Sequence, residues 1–345
     1  MDGMNNLKTI SVAMATYNGE KYIREQLDSL ALQTLSPFEL IVTDDGSTDS
    51  TLAIVEEFST IAPFPVKVYR NKERLGYADN FLKAASLCQG EYVAFCDQDD
   101  IWLPNKLAVC ADGFITTDVK MVVHSGNVVD GNGTHVGVNL PCVRNHKIQR
   151  LGMHPQKFYQ GYAIIFRRDL IDFVNADSRP DENESSKKMA HDVWIPFLAN
   201  IFGSTRLLND SLVLYRRHGS NASGYDSAHR HALMPDYVKT KRCAEVYSVS
   251  LDNIVRRSLW LKSLPHSGGA HRGNCLRDAV RVFESHCRYL EKRIAMYHKN
   301  NILYNFHQLI NIVLSGGYRN YKNGGMGFKA FLGDAFRIVM SVRLF

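Results

Sequence analysis

Over the first hundred residues, short apolar blocks ending in polar clusters alternate with stretches of helical spacing. TISVAMATYN (9–18) is an apolar run that closes on polar residues, the pattern of a buried strand entering a loop. In EKYIREQLDSLALQ (20–33), Tyr22, Ile23, Leu27 and Leu30 fall on one helical face, and Pro37 breaks that helix. FELIVTDDGSTDSTLAIVEEF (38–58) repeats the cycle, with strand FELIVT, loop DDGSTD, and a helix capped by Ser47, Thr48 or Asp49. VKVYRN (66–71) predicts a third strand, 77–88 a helix and EYVAFCD (91–97) a fourth strand. Near-continuous apolar strands alternating with helices predict an α/β fold with a mostly parallel, Rossmann-like sheet flanked by helices. Ligands sit at the carboxyl ends of strands in such sheets. TYNGE, DDGSTD and DQDD all fall at such ends, so three polar clusters converge on one rim.

The rhythm then changes. MVVHSGNVVDGNGTHV (121–136) predicts two strands joined by a DGNG turn, and 159–174 a strand followed by a helix. HDVWIPFLANIFG (191–203) predicts a helix opened by His191 and Asp192, and SLVLYRRHGSNASG (211–224) a strand running into a loop. Beyond about 225 the patterns are helical. The expected organisation is a nucleotide-binding and catalytic domain over 1–224 and a mainly helical region over 225–345.

Charge sharpens this division. The chain carries +6 overall, but residues 219–345 hold 19 Lys and Arg against 8 Asp and Glu. The acidic front suits metal binding, and the basic back suits a phosphate-rich partner such as an anionic membrane surface, or else a solvated helical face. Seven scattered cysteines without a CxxC pair suggest free thiols in a reducing compartment. The first residues lack the pattern of a signal peptide, and no run approaches a membrane span, so a cytoplasmic protein is expected.

FCDQDDIW (95–102) poses the sharpest chemical question, because Asp97, Asp99 and Asp100 crowd one strand end. Like charges this close repel. A helix cap accounts for one carboxylate, and Asp100 is read as that cap or as support behind the site. Mg²⁺ or Mn²⁺ accounts for the cluster, since such ions take oxygen ligands and share them with substrate phosphates.

Taken together, ISVAMATYNGEKYIREQLDSLALQT, IVTDDGSTDST, NKERLGYADNF, EYVAFCDQDDIW, HDVW and YRRHGSN resemble, in order, glycosyltransferase family 2 of the GT-A fold over about residues 8–222. FCDQDDIW and RRHGSN look most like its bacterial rhamnosyltransferase-like branch. The resemblance implies that Thr16, Tyr17, Asn18 and Glu20 line a nucleotide pocket. It also implies that Asp45, with Asp44 beside it, contacts the base or ribose. Asp97-Gln98-Asp99 would be the DxD unit, with Asp99 on the metal and Asp97 at the ribose or a metal-bound water. His218 would complete the metal site, and Asp192 would be the catalytic base. DNFLKAA departs from the family's usual stretch, so Asp79 bears on the donor contacts. HDVW lacks the ED pair that commonly marks the base.

The implied activity is metal-dependent, inverting transfer from a UDP- or dTDP-linked sugar, dTDP-rhamnose or UDP-glucose among them. The implied acceptor is a growing bacterial surface polysaccharide, O-antigen or capsule, on a lipid carrier. The alternatives are an inactive nucleotide-binding relative and a sugar-phosphate nucleotidyltransferase; the latter usually carries a glycine-rich loop where ATYNGEKY stands here. No nucleic-acid partner is expected, and homo-oligomerisation is left open. In FKAFLGDAFRIVMSVRLF (328–345), Phe328, Phe331, Leu332, Ala335, Val339 and Val342 form one helical stripe. That stripe suits either an interfacial helix at the inner face of the membrane or a packed helix.

Overall fold

The structure, a computed structural model, describes residues 8–142, 144–182, 187–219, 236–265, 269–299 and 301–342. The first half runs β1 (Ile10–Thr16), α1 (Ile23–Ala31), β2 (Glu39–Asp44), α2 (Thr51–Ser59), β3 (Val66–Arg70), α3 (Tyr77–Leu87) and β4 (Tyr92–Asp97). It continues with β5 (Ile101–Trp102), α4 (Lys106–Gly113), β6 (Val119–Asp130), β7 (His135–Asn139) and β8 (His146–Ile148). Then come β9 (Ile164–Arg167), α5 (Asp169–Asp172), a small hairpin of β10 (Asp181–Glu182) and β11 (Lys187–Lys188), α6 (His191–Phe202) and β12 (Ser204–Arg217). Four helices follow: α7 (Asp236–Ser263), α8 (Ala270–His298), α9 (Ile302–Leu314) and α10 (Phe328–Val342).

The main sheet is ordered β3-β2-β1-β4-β9-β6-β12-β5, with β7 on β6 and β8 on β12. β3, β2, β1 and β4 are parallel neighbours, as the alternating pattern predicts. β9 enters antiparallel between β4 and β6, while β6 and β12 pair parallel. The strands are apolar on both faces because helices cover both; Val12, Ala13, Val42, Val93 and Phe95 are all fully buried.

Three local details differ from expectation. Ser50 occupies the cap position of α2 without a side-chain bond, while the Asp49 Oδ1 accepts the Thr51 N–H at 3.0 Å from one residue earlier. Asp100 caps no helix, because β5 intervenes and α4 begins at Lys106. In α10 the stripe divides: Phe331 and Ala335 pack with Met296, Leu309 and Ile312, whereas Phe328 and Leu332 face outward. Val339 and Val342 lie outside the described side chains, and the boundary near 225 outside the described residues.

The helical region shares the sheet's core, since Ile254 and Leu261 of α7 and Leu276 and Phe283 of α8 belong to the same apolar cluster as Trp194 and Phe197 of α6. A smaller cluster joins α8, α9 and α10. No helix among the described residues is long and apolar enough to cross a membrane.

Candidate active site

The parallel strands β1, β2 and β4 end side by side, and their loops are stitched together. Thr16 Oγ1 donates to Asp44 Oδ2 at 2.9 Å, and Asp44 Oδ1 accepts the N–H groups of Gly46 and Ser47. Asn18 adopts a left-handed backbone (φ 47°), accessible to Asn at low cost. Its N–H donates to Ser47 Oγ, and its Oδ1 accepts the Thr48 N–H, both at 2.9 Å. Glu20 accepts the Ser50 N–H at the head of α2. Gln98 bridges to Tyr17, accepting its N–H at 3.0 Å and donating to its carbonyl at 3.1 Å. Tyr17 itself is exposed, with the Arg74 guanidinium 4.0 Å from its ring centre.

Asp45 is buried and accepts from Leu75 N–H (2.7 Å), Gly76 N–H (2.8 Å) and Asn71 Nδ2 (3.0 Å). It therefore holds the loop before α3 against the end of β2. Asn80 extends the same network, donating to Thr43 O and accepting from Asn71. Asp79 is turned to the Arg179 guanidinium, which is itself buried. Of the predicted nucleotide-binding residues, Glu20, Asp44, Asp45 and Gln98 thus shape the rim loops, and Tyr17 offers the exposed surface.

The acids of FCDQDDIW divide by partner. Asp99 Oδ2 meets His218 Nε2 at 2.8 Å, so β4 and the end of β12 bring together the two residues assigned to the metal. Burial raises the Asp99 carboxyl above its ordinary range, while His218 opposes the rise. Burial also pushes Asp97 up to about 7, with repulsion from Asp99 and Asp192 adding to it. Asp100 is fully buried; its Oδ1 accepts the Arg216 N–H at 2.9 Å, its Oδ2 has no partner, and burial holds it well above the carboxylate range. Asp192 stands in the first turn of α6, where burial lifts it to about 6 against the pull of its own and Val193's N–H groups.

Several residues with a part here escaped the sequence reading. Lys106 is fully buried beneath the acids, donates to Tyr162 O at 2.8 Å and lies 3.5 Å from the Trp102 ring centre. Burial lowers it to about 8. Tyr162 sits in the turn before β9, and its backbone tempers the rise of the Asp97 carboxyl. That turn approaches His191 so closely that a Cβ on Gly161 would lie 2.6 Å from the ring's Nε2, which only glycine avoids. His191 in turn packs on Phe81, ring centres 4.2 Å apart. Arg216 donates to Asp99 O at 2.9 Å and to Glu25 at 2.5 Å, and its guanidinium covers Tyr22 at 4.5 Å. It therefore braces the strand end and does not project from the sheet.

Among the described residues no three His, Cys, Asp or Glu side chains close a cation site by themselves. Asp99 and His218 would supply two ligands. Mg²⁺ and Mn²⁺ characteristically keep waters and take phosphate oxygens for the remainder. The residues fit such an ion: an acid pair raised by burial and mutual repulsion is the environment a divalent cation relieves.

The family model for glycosyl transferase family 2 matches residues 11–174, from β1 through α5. A dTDP-rhamnosyl transferase of Shigella flexneri is 37% identical over 223 residues, covering 61% of this chain and 73% of that one. An Escherichia coli glucosyltransferase named for UDP-glucose and a GlcNAc-diphosphoundecaprenol acceptor is 31% identical over 123 residues, 36% of this chain and 47% of its own. The chain spans 66% of the length of a Nostoc glycosyltransferase relative and 59% of a Mycobacterium bovis relative. The Staphylococcus aureus TarS fragment solved with UDP-GlcNAc shares the fold, with TM-score 0.54 at 19% identity over 97% of this chain and 92% of that one. On the family pattern running from the first strand past the acidic strand ends, and on the Shigella relative, the chain belongs to glycosyltransferase family 2.

Proposed function

We propose that the chain is an inverting glycosyltransferase that moves a sugar from a UDP- or dTDP-linked donor to a hydroxyl of a bacterial surface polysaccharide on a lipid carrier. The observation that carries this reading is the gathering of Asp97, the Asp99–His218 pair and Asp192 at the rim of one mostly parallel sheet. Asp99 and His218 would hold Mn²⁺ or Mg²⁺. Bound there, such an ion supplies positive charge that stabilises the departing nucleoside diphosphate. Asp97 lies beside that pair, toward the donor. Tyr17 offers an exposed ring for the base, with Arg74 over its face.

Asp192 takes the proton. A carboxylic acid at about 6 is ionised at neutral pH yet basic enough to accept a hydroxyl proton as the oxygen attacks. One base and one direct displacement invert the anomeric centre without a covalent intermediate. The Shigella relative is named for a dTDP-linked donor and the E. coli one for a UDP-linked donor, which supports both nucleotides as candidates. The lipid-linked acceptor is supported by the name of the E. coli relative and by the apolar outer face of α9 and α10, where Leu303, Leu314, Phe328 and Phe336 are exposed. That face suits peripheral association with a membrane surface.

The test is calorimetric titration of UDP, dTDP and GDP with and without Mn²⁺. Metal-dependent binding of UDP or dTDP supports the reading. A folded protein that binds none of the three overturns it in favour of an inactive relative.

A further inference from the structure

A cavity of about 830 Å³ lies between the strand β8, the segment before β9 and the C-terminal helices. Arg144, His146, His154, Lys157 and Lys329 line it with Tyr159 and Tyr321, and no carboxylate does. Among the described residues, Arg144, Lys157 and Lys329 have no acidic partner. All three are exposed, and three cations with no carboxylate among the lining residues give the cavity a positive lining. Burial, followed by His286, Arg257 and Lys157, lowers His154 to about 3, so it lines the cavity as a neutral ring.

The position is as informative as the charge. A second cavity of about 230 Å³ shares Pro141, Lys157 and Tyr159 with the first and reaches Gln160 and Ala163. Those two residues stand on either side of Gly161 and Tyr162, and the Tyr159 N–H donates to the carbonyl of Asp192. His124 lines this inner cavity. Its Nδ1 faces the Ser125 carbonyl at 2.7 Å and so carries the proton, and its buried Nε2 has no partner among the described residues. At the opposite end Lys329 lies on α10 beside Phe328, which is exposed on the apolar outer face.

We propose that this cavity binds the phosphate or diphosphate group of the acceptor, with the acceptor's sugar directed along the inner cavity toward Asp192. The inference rests on the transfer reading above and gives its acceptor a site. Charge-assisted bonds from Lys and Arg recognise phosphate oxygens, and a phosphate at the cavity would leave an attached hydrocarbon chain beside α10.

The full chain is titrated calorimetrically with geranyl diphosphate and with inorganic pyrophosphate in EDTA, so that no metal assists, and with geranyl diphosphate in excess Mn²⁺ with and without saturating UDP. Anion binding that UDP does not displace is expected. It should fall about ten-fold in Lys157→Ala and further in Lys157→Ala with Lys329→Ala, and return with Arg at both positions. Tighter binding of geranyl diphosphate assigns a lipid-linked phosphate, and equal binding a free phosphoryl group. The proposal is overturned if neither anion binds, if the double Ala variant binds as well as the parent, or if UDP competes. Metal-dependent UDP or dTDP binding without anion binding refutes the cavity alone, and the reverse result refutes the transfer reading alone.

Discussion

Replacing Asp192 by Asn separates catalysis from stability, because the structure predicts opposite signs for the two. The carboxyl is lifted from an ordinary 3.8 to about 6, chiefly by burial. A raised folded value means that the fold favours the protonated acid. The stabilising contribution is complete below 3.8 and is lost as pH rises through about 6. At pH 8 the ionised carboxylate therefore weakens the fold, at about 1.4 kcal/mol per pH unit between the two values, or about 3 kcal/mol in all. Asn keeps the shape and the oxygen that accepts the helix N–H groups but cannot ionise. Taking about 2.1 cal/mol/K per residue for the unfolding entropy, about 3 kcal/mol corresponds to a Tm gain of ~4 °C in a chain of this size.

The assay is calorimetric melting of both proteins between pH 4 and 8. Asp192→Asn should melt level with the parent near pH 4, pull ahead through pH 6 and hold its lead above pH 7. Its transferase turnover should meanwhile fall by roughly 10²–10⁴. A variant that melts at or below the parent at pH 8, or whose lead does not change with pH, would refute the buried-acid account. Undiminished turnover would remove Asp192 as the base.

Other outcomes follow from the same site and its supports. The kcat/KM of the parent should lose activity on the acid side with a midpoint near 6, read from a pH profile under saturating metal. Gly161→Ala should lower stability by about 1–3 kcal/mol in urea titration, because its Cβ meets the His191 ring, and should reduce turnover by moving the turn beside Asp97. Lys106→Ala should cost about 2–4 kcal/mol, since it leaves a cavity under Trp102 and orphans the Tyr162 carbonyl. Asp334→Ala should cost about 3–5 kcal/mol and speed hydrogen exchange across α10, because that buried acid accepts from Arg293, Tyr297 and Tyr318 at once. Phe328→Glu with Leu332→Glu should reduce sedimentation with anionic vesicles several-fold, and unchanged binding would remove the membrane role of that face.

The strand ends were legible in the chain because two independent signals coincide there, an apolar run that must be buried and a polar cluster that cannot be. That combination located Asp44, Asp45, Asp97 and Asp99 and foretold the parallel run of β1, β2 and β4. It did not foretell the antiparallel entry of β9, because pairing direction depends on where a connection returns and leaves no mark on apolar periodicity. Lys106 was hidden for a different reason. A lysine in NKLAVC looks like the wet face of a helix, and only the fold reveals that this face meets the acids and Trp102. Arg216 could not be read from the chain as a brace, since its partners Glu25 and Asp99 lie far from it in sequence.

The stripe on α10 shows the limit most clearly. Spacing identifies an apolar face, but burial is a property of what stands opposite it. Phe331 and Ala335 meet α8 and α9, while Phe328, stacked on Phe331, and Leu332 stay exposed on the same stripe. The half of the stripe that folding does not use is the half adjoining Lys329 and the cation-lined cavity. Packing between helices explains the covered half, whereas a hydrocarbon partner beside a phosphate site explains the exposed half and the uncompensated charge together.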